Sequence, residues 1–252
     1  MDKQPVFFCV CSQKGGVGKS TFTILLANWL HYALGRDVLV VDCDAPQWSI
    51  VAQRERELDV LERNDRYKLM MVRLFKRTGR KIWPVVRSTP EEGLQAAHAY
   101  LAAGDREADF VRLDLPGTVA APGIFRLLAR LDHLFIPLKA DKLVLESALS
   151  FARAVDERLV HNDAHRLTGL HLFWTMVDRR ERTPLYESYG KAFAAFRLPV
   201  LQTQVPYRSR FSKEILDTSG AVGRSTLFPA DRAFAADAAL DALAAEILSL
   251  ME

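Results

Sequence analysis

Ser12-Gln13-Lys14-Gly15-Gly16-Val17-Gly18-Lys19-Ser20-Thr21 follows an apolar run at residues 6–11 and opens a helical pattern over 21–34. Strand, glycine-rich loop, lysine, hydroxyl and helix in that order make a phosphate cradle. A triphosphate is wrapped by successive backbone N–H groups turned inward, which requires residues without Cβ crowding, and Gly15, Gly16 and Gly18 supply them around Val17. The positive end of the following helix points at the same charge. Lys19 would reach the β and γ oxygens, the Ser20 hydroxyl would ligate Mg²⁺, and Thr21 would hold an inner phosphate through its backbone or hydroxyl. The run departs from G-x-x-x-x-G-K-[ST] in placing Gln13 at the first glycine and a second lysine, Lys14, inside the loop.

Two acidic segments extend the cradle. Asp37-Val38-Leu39-Val40-Val41-Asp42 is β-branched, and Cys43-Asp44-Ala45-Pro46-Gln47 follows it at the carboxyl end, where parallel α/β sheets bind ligands. Alternate residues of an extended segment point the same way, so Asp42 and Asp44 can both face the phosphates, and Asp42 is a candidate metal group. Phe110-Val111-Arg112-Leu113-Asp114-Leu115-Pro116-Gly117 is an apolar strand ending in an acid, where a carboxylate holds Mg²⁺ directly or through water; this nominates Asp114. Strands also end in Asp for turn chemistry alone, but the position of this one after the first two motifs favours the metal.

Lys14 to Thr21, K-G-G-V-G-K-S-T, resembles the deviant Walker A box of the ParA/MinD family of ATPases, with Lys14 as its signature lysine. In that family two subunits sandwich two ATP molecules, and each signature lysine reaches the phosphates held by the other subunit. The logic is that of a cation supplied in trans to charge developing on the transferred phosphoryl group. The segment from Asp42 resembles the family's D-x-D-P-Q box, which gives Asp44 the task of orienting or activating the attacking water; Ala45 is inserted before Pro46. Its longer form, D-C-D-x-P-Q-x-S-I, resembles ParA-like proteins of conjugative transposons, the TraA type, and Gly223-Arg224-Ser225-Thr226-Leu227-Phe228-Pro229 is similar to the same branch. Val205-Pro206 resembles the segment beside the adenine base, so Pro206 is a candidate purine contact and Asp178 a second. The resemblance also implies nonspecific DNA binding by arginines on the C-terminal side of a dimer. Arg208, Arg210 and Arg224 are the candidates, with Arg179, Arg180 and Arg182 behind them; each could equally be a solvated charge.

The 252 residues are 49% apolar and carry 34 Lys plus Arg against 31 Asp plus Glu, a net +3. That suits one large α/β domain with a mild lean toward polyanions. The first apolar run is too short for a signal peptide, and no stretch of about eighteen apolar residues exists, so a cytoplasmic protein is expected, with the resemblance adding nucleoid association in the ATP-bound form. Cys9 and Cys11 share a face of the first strand and Cys43 lies on the second, which reads as core thiols. His161 and His165 lack an H-E-x-x-H frame and read as surface or packing residues.

Apolar runs at 6–11, 38–42, 110–115, 133–138, 170–176 and 200–205 alternate with helical patterns, as a mostly parallel, doubly wound α/β sheet flanked by helices requires. Thr89-Pro90-Glu91-Glu92 is a capping box opening a helix that Gly104 can close, Thr183-Pro184 begins another, and 142–160 reads as a longer one. Residues 53–87 interleave Arg73, Lys76, Arg77, Arg80 and Lys81 with Leu69, Met70, Met71, Val72, Leu74, Phe75, Ile82 and Trp83. Two readings stay open there: a surface for DNA phosphates or another protein, or an amphipathic helix whose cations lie along apolar surface with their heads in water. At the C-terminus Leu240, Leu243, Ile247, Leu250 and Met251 form a stripe opposite Asp237, Asp241, Glu246 and Glu252, and an acidic face repels anionic headgroups. The helix is expected to pack on the body, and a membrane partner is not expected.

The reading is an ATP- and Mg²⁺-dependent dimerisation switch of ParA type with weak ATPase activity. It would form a homodimer with ATP, bind DNA without sequence preference, act in partition or conjugative transfer of mobile DNA, and answer to a ParB-like or conjugation partner. A metabolic enzyme similar to dethiobiotin synthetase, a MinD-like spatial regulator and a regulator that binds ATP without hydrolysing it are the alternatives.

Overall fold

The computed structural model describes residues 4–103, 107–117, 122–178, 180, 183–215 and 222–252; the readings at Gly104, Arg179 and Arg182 lie outside them. Strands β1 (Val6–Val10), β2 (Val38–Asp42), β3 (Val85–Arg87), β4 (Phe110–Asp114), β5 (His133–Leu138) and β6 (Gly169–Trp174) pair in the order β3-β2-β4-β1-β5-β6. Every named pairing is parallel. The strands are nearly continuous apolar runs because helices cover both faces.

The helices are α1 (Lys19–Asn28), α2 (Ser49–Arg63), α3 (Asp65–Thr78), α4 (Gly93–Ala102), α5 (Pro122–Leu128), α6 (Lys142–Val155), α7 (Leu185–Ala195), α8 (Arg232–Asp237) and α9 (Leu240–Met251). Alternation along the strands sends Phe7, Cys9, Leu39, Val41, Val111 and Leu113 into one core with α4 to α7. It sends Phe8, Val10, Val38, Val40 and Phe110 into the other, with α1, α2, α3, α8 and α9. All three cysteines are buried free thiols, and burial pushes Cys9 and Cys43 well up, so they are inert packing groups. Leu240, Leu243, Ile247 and Met251 of α9 are buried in the second core, so this helix packs on the body.

Three segments differ from the sequence reading. Residues 200–205 form no strand: the stretch makes one isolated bridge, Val200 with Leu172, and Pro206 just beyond it makes another with Val177. The cause is Glu246 on α9, whose carboxylate accepts the N–H groups of Gln202 (2.7 Å) and Thr203 (2.9 Å) and takes them out of the ladder. Residues 53–87 hold two helices and the short β3 rather than one helix. The break is Asn64, whose side chain accepts from Arg66 N (3.1 Å) and Tyr67 N (3.4 Å) and so caps α3, which ends at the left-handed Gly79. Residues 142–160 run as α6 and then loosen into a wide π turn, Asp156–Val160.

His171 on β6 stacks on Phe135 with ring centroids 5.5 Å apart, and His133 lies beside it. Burial, reinforced by His133, pushes His171 down to about 4. A histidine depressed from its usual value of about 6.5 contributes stability that is full above that value and lost as pH falls through the folded one. We expect the urea midpoint to fall between pH 7 and pH 5, and to fall less in His171→Gln; equal acid sensitivity in the two proteins would show that the burden lies elsewhere.

Candidate nucleotide-binding site

The loop after β1 turns into α1 through Gly16 (φ 75°) and Gly18 (φ 91°), left-handed positions that a side chain would strain. A Cβ at Gly18 would also lie 3.1 Å from the Phe22 ring, whereas Gly15 and Gly16 look onto open space. No side chain caps the N-terminus of α1, which leaves its first N–H groups for a ligand. Val17 is buried and anchors the loop. Ser12 Oγ accepts from Lys14 N (3.3 Å), and Gln13 Oε1 accepts from Ser147 on α6 (3.0 Å). Lys14 itself is exposed, and its ammonium has no partner among the described residues.

Parallel register brings Val10, Asp42 and Asp114 into line at the carboxyl ends of β1, β2 and β4. Asp114 is fully buried and accepts from Ser20 Oγ (2.7 Å) and Thr23 Oγ1 (2.8 Å). Burial raises its pKa to about 6; the two hydroxyls and Arg112 pull it down, and neighbouring Asp42 pushes it up. Asp42 is also buried and accepts from Asp44 N (3.2 Å), Ile50 N (2.9 Å) and Val51 N (3.0 Å), so it caps the start of α2. Asp44 is half-buried; burial raises its pKa while the charge of Lys19 opposes, which places both groups on one cleft. Lys19 Nζ lies 3.5 Å from Lys14 O and would be 3.4 Å from a Cβ at Gly117. Oxygen donors from Ser20 and Asp114 beside an open backbone cradle and a lysine fit Mg²⁺ carried by a nucleoside triphosphate.

The remaining candidates fall in two places. Asp178 and Pro206 come together through the Val177–Pro206 bridge beyond the carboxyl end of β6, two strands from β1. There Arg180 clasps Asp178 through Nε and Nη2, both at 3.0 Å, and holds its carboxyl below the usual range. Of the arginines nominated for DNA, Arg208 pairs with Asp237 and Arg210 with Asp231. Arg224 donates to Glu214 (2.7 Å) and to Thr21 Oγ1 (3.1 Å), at the first turn of α1.

Several functional contacts were missing from the sequence reading. Thr23, one turn beyond Ser20, supplies the second grip on Asp114; its spacing on the helix was the available signal. Arg112 is fully buried over the Phe8 ring at 5.2 Å, and its three side-chain nitrogens have no hydrogen-bond partner among the described residues. Burial lowers its pKa to about 9 against the pull of Asp114; an arginine inside an apolar strand was the signal. Glu57 on α2, also buried, accepts on Oε2 from Ser225 Oγ (3.0 Å), Thr226 N (2.6 Å) and Thr226 Oγ1 (2.7 Å). Arg54 donates to Thr226 O (2.8 Å) and lies 4.3 Å over the Trp83 ring. Together they pin the segment that carries Arg224.

A glycine cradle at a helix N-terminus, with a lysine, a hydroxyl and an acid at the ends of parallel strands, defines a P-loop nucleotide-binding domain. The model of the CobQ/CobB/MinD/ParA nucleotide binding domain matches residues 8–221, and the chain belongs to that family. The chromosome-partitioning ATPase Soj of Thermus thermophilus is 28% identical over 222 residues, 73% of this chain and 86% of Soj. Two solved structures share the fold. A plasmid partition protein of Borrelia burgdorferi B31 bound to AMPPNP aligns with a TM-score of 0.57, 19% identity and 98% of each chain. The pNOB8 ParA bound to nonspecific DNA aligns with a TM-score of 0.51, 18% identity and 88% of each chain.

Two substitutions test the architecture. Asp114→Asn removes the buried charge and keeps the shape, so the free protein should melt no lower while the Mg²⁺-dependent gain in ATP affinity disappears in calorimetric titration. Glu57→Ala leaves buried donors on Ser225 and Thr226 without an acceptor and should cost about 3 kcal/mol in urea unfolding, against under about 0.5 for the exposed Glu62→Ala.

Proposed function

We propose that this chain is an ATP-dependent dimerisation switch with slow ATPase activity, acting in the partition or conjugative transfer of plasmid or mobile-element DNA. The observation that carries the reading is the grip of Ser20 and Thr23 on Asp114 beneath an open glycine loop whose outward residue, Lys14, has no partner for its ammonium among the described residues. In this reading the backbone of residues 15–21 and Lys19 hold the phosphates, and Ser20 and Asp114 hold the metal, with Asp42 behind them. Mg²⁺, when bound, supplies positive charge to the β and γ oxygens. Asp44 orients the attacking water, and its half-buried position beside Lys19 suits a group that accepts a hydrogen bond there. Pro206 and Asp178 frame the base.

Lys14 then serves a second copy of the chain. An exposed lysine on the rim of the cradle gains most by meeting phosphate charge across a dimer interface, so nucleotide occupancy and pairing are linked. Likeness to Soj supports a role in DNA segregation, and the complex of pNOB8 ParA supports nonspecific DNA as a partner. A ParB-like or conjugation protein would stimulate turnover in the cytoplasm.

Light scattering and DNA retention with ATP and with ADP test the switch. Wild type should dimerise with ATP alone, Lys14→Ala should bind ATP yet stay monomeric, and Asp44→Ala should remain a DNA-bound dimer in ATP because hydrolysis no longer undoes it. An ATP-loaded wild type that stays monomeric at micromolar concentration would refute the reading.

A further inference from the structure

A cavity of about 360 Å³ opens between α3 and residues 222–231. Its floor is apolar, with Met70, Leu74 and Phe228, and its α3 edge carries Arg66, Arg73 and Arg77. Spacings of seven and four residues put these arginines within about 40° of one another around the helix and along about 16 Å of its axis. All three are exposed, and none has a hydrogen-bond or carboxylate partner for its guanidinium among the described residues. The only acid of α3, Asp65, holds Lys68 at 2.9 Å. Across the cavity Asp231 is paired with Arg210, which also donates to Val222 O (2.9 Å), so the acid of the opposite wall is neutralised by its own cation.

We propose that this groove takes the phosphate backbone of duplex DNA, with the arginine row of α3 as its principal contact. The proposal rests on the reading of DNA as a partner and gives that partner a surface. A row of guanidiniums that are unpaired among the described residues, with no acid between them on the helix, calls for a continuous polyanion. Duplex DNA offers one charge per about 1.7 Å of axis, so a phosphate meets each arginine in any register and no base need be read. The guanidinium fork suits phosphate oxygens, and the apolar floor lets the stems lie flat while the heads face outward. Arg208 and Arg224, by contrast, are tied to Asp237 and Glu214.

The test is retention of duplex DNA by the full chain with ATP between 50 and 200 mM salt, for wild type, the triple variant R66Q/R73Q/R77Q and the distant surface variant Arg158→Gln. The triple variant should bind more weakly by on the order of a hundredfold at 0.1 M salt and lose about 2.7 from the salt slope, at about 0.9 per phosphate contact. Arg158→Gln should match wild type. If the triple variant loses its melting transition, Arg73→Gln alone should still lower the slope by about 0.9. A triple variant that retains DNA as wild type does overturns the groove and leaves the switch standing. One that keeps DNA but loses binding to vesicles of anionic phospholipid, or to an acidic partner protein, overturns it as well. Wild type that fails to retain DNA at 50 mM salt with ATP overturns both. Retention lost in the triple variant but indifferent to nucleotide supports the groove and counts against the switch.

Discussion

The grip of two hydroxyls on one buried carboxylate sets the geometry of everything around it. Asp114 lies at the end of a central strand with no exposure to solvent, where an ionised group is costly unless donors surround it. Ser20 and Thr23 are those donors, and both belong to α1. Satisfying the acid therefore fixes the first turn of α1 over the ends of β1 and β4, and the preceding loop must close the remaining distance in a few residues. That closure requires left-handed backbone at Gly16 and Gly18, the same conformation that turns N–H groups toward a bound anion. The phosphate cradle thus follows from how a buried acid is satisfied, and a carboxyl shifted to about 6 gains most from a cation brought beside it.

A second chain of contacts runs around the cleft. Asp42 caps α2, and two turns along that helix Glu57 takes the donors of Ser225 and Thr226. Arg224, next in the chain, reaches back to Thr21 at the start of α1. Residues more than two hundred positions apart are thereby joined through buried and partly buried hydrogen bonds, which hold one arrangement because leaving a buried donor unpaired is expensive. The segment from 222 to 231 closes this ring on one side and forms a wall of the arginine groove on the other. Nucleotide at Thr21 and a polyanion on α3 would press on the same few residues, and packed elements of this kind transmit strain because they have little room to deform.

Local patterns were legible in the sequence, and contacts made at a distance were not. The cradle, both acidic strand ends, the buried thiols and the parallel sheet all follow from short-range spacing, since strand periodicity and glycine placement are properties of neighbours. Strand β3 escaped because three residues carry too little pattern inside a basic segment. Residues 200–205 look like a strand until Glu246, more than forty positions later, takes two of their N–H groups. Glu57 and Arg54 sit among other charges on α2, yet Glu57 is buried and Arg54 half-buried, because partners for both lie in the last thirty residues of the chain. Asn64 was the missed local signal: a capping residue that splits one apparent helix into two.

Cations illustrate the same boundary between pattern and partner. A sequence can nominate arginines by position, but their availability depends on which carboxylates fold beside them, and an arginine already holding an acid must exchange that partner before it can hold a phosphate. Among the described residues Arg66, Arg73 and Arg77 hold no acid to exchange. Arg210 lies between the two cases: its acid, Asp231, also caps α8 through Phe234 N at 2.8 Å, a bond that does not depend on the arginine. A phosphate in the groove could draw Arg210 away while Asp231 keeps its helix. The ion pair itself is cheap to give up, because pairs this exposed contribute on the order of 1 kcal/mol or less. Turning Arg210 toward the phosphate would give up its bond to Val222 O (2.9 Å) and its place over the Phe234 ring, while the cap on α8 stays with Asp231.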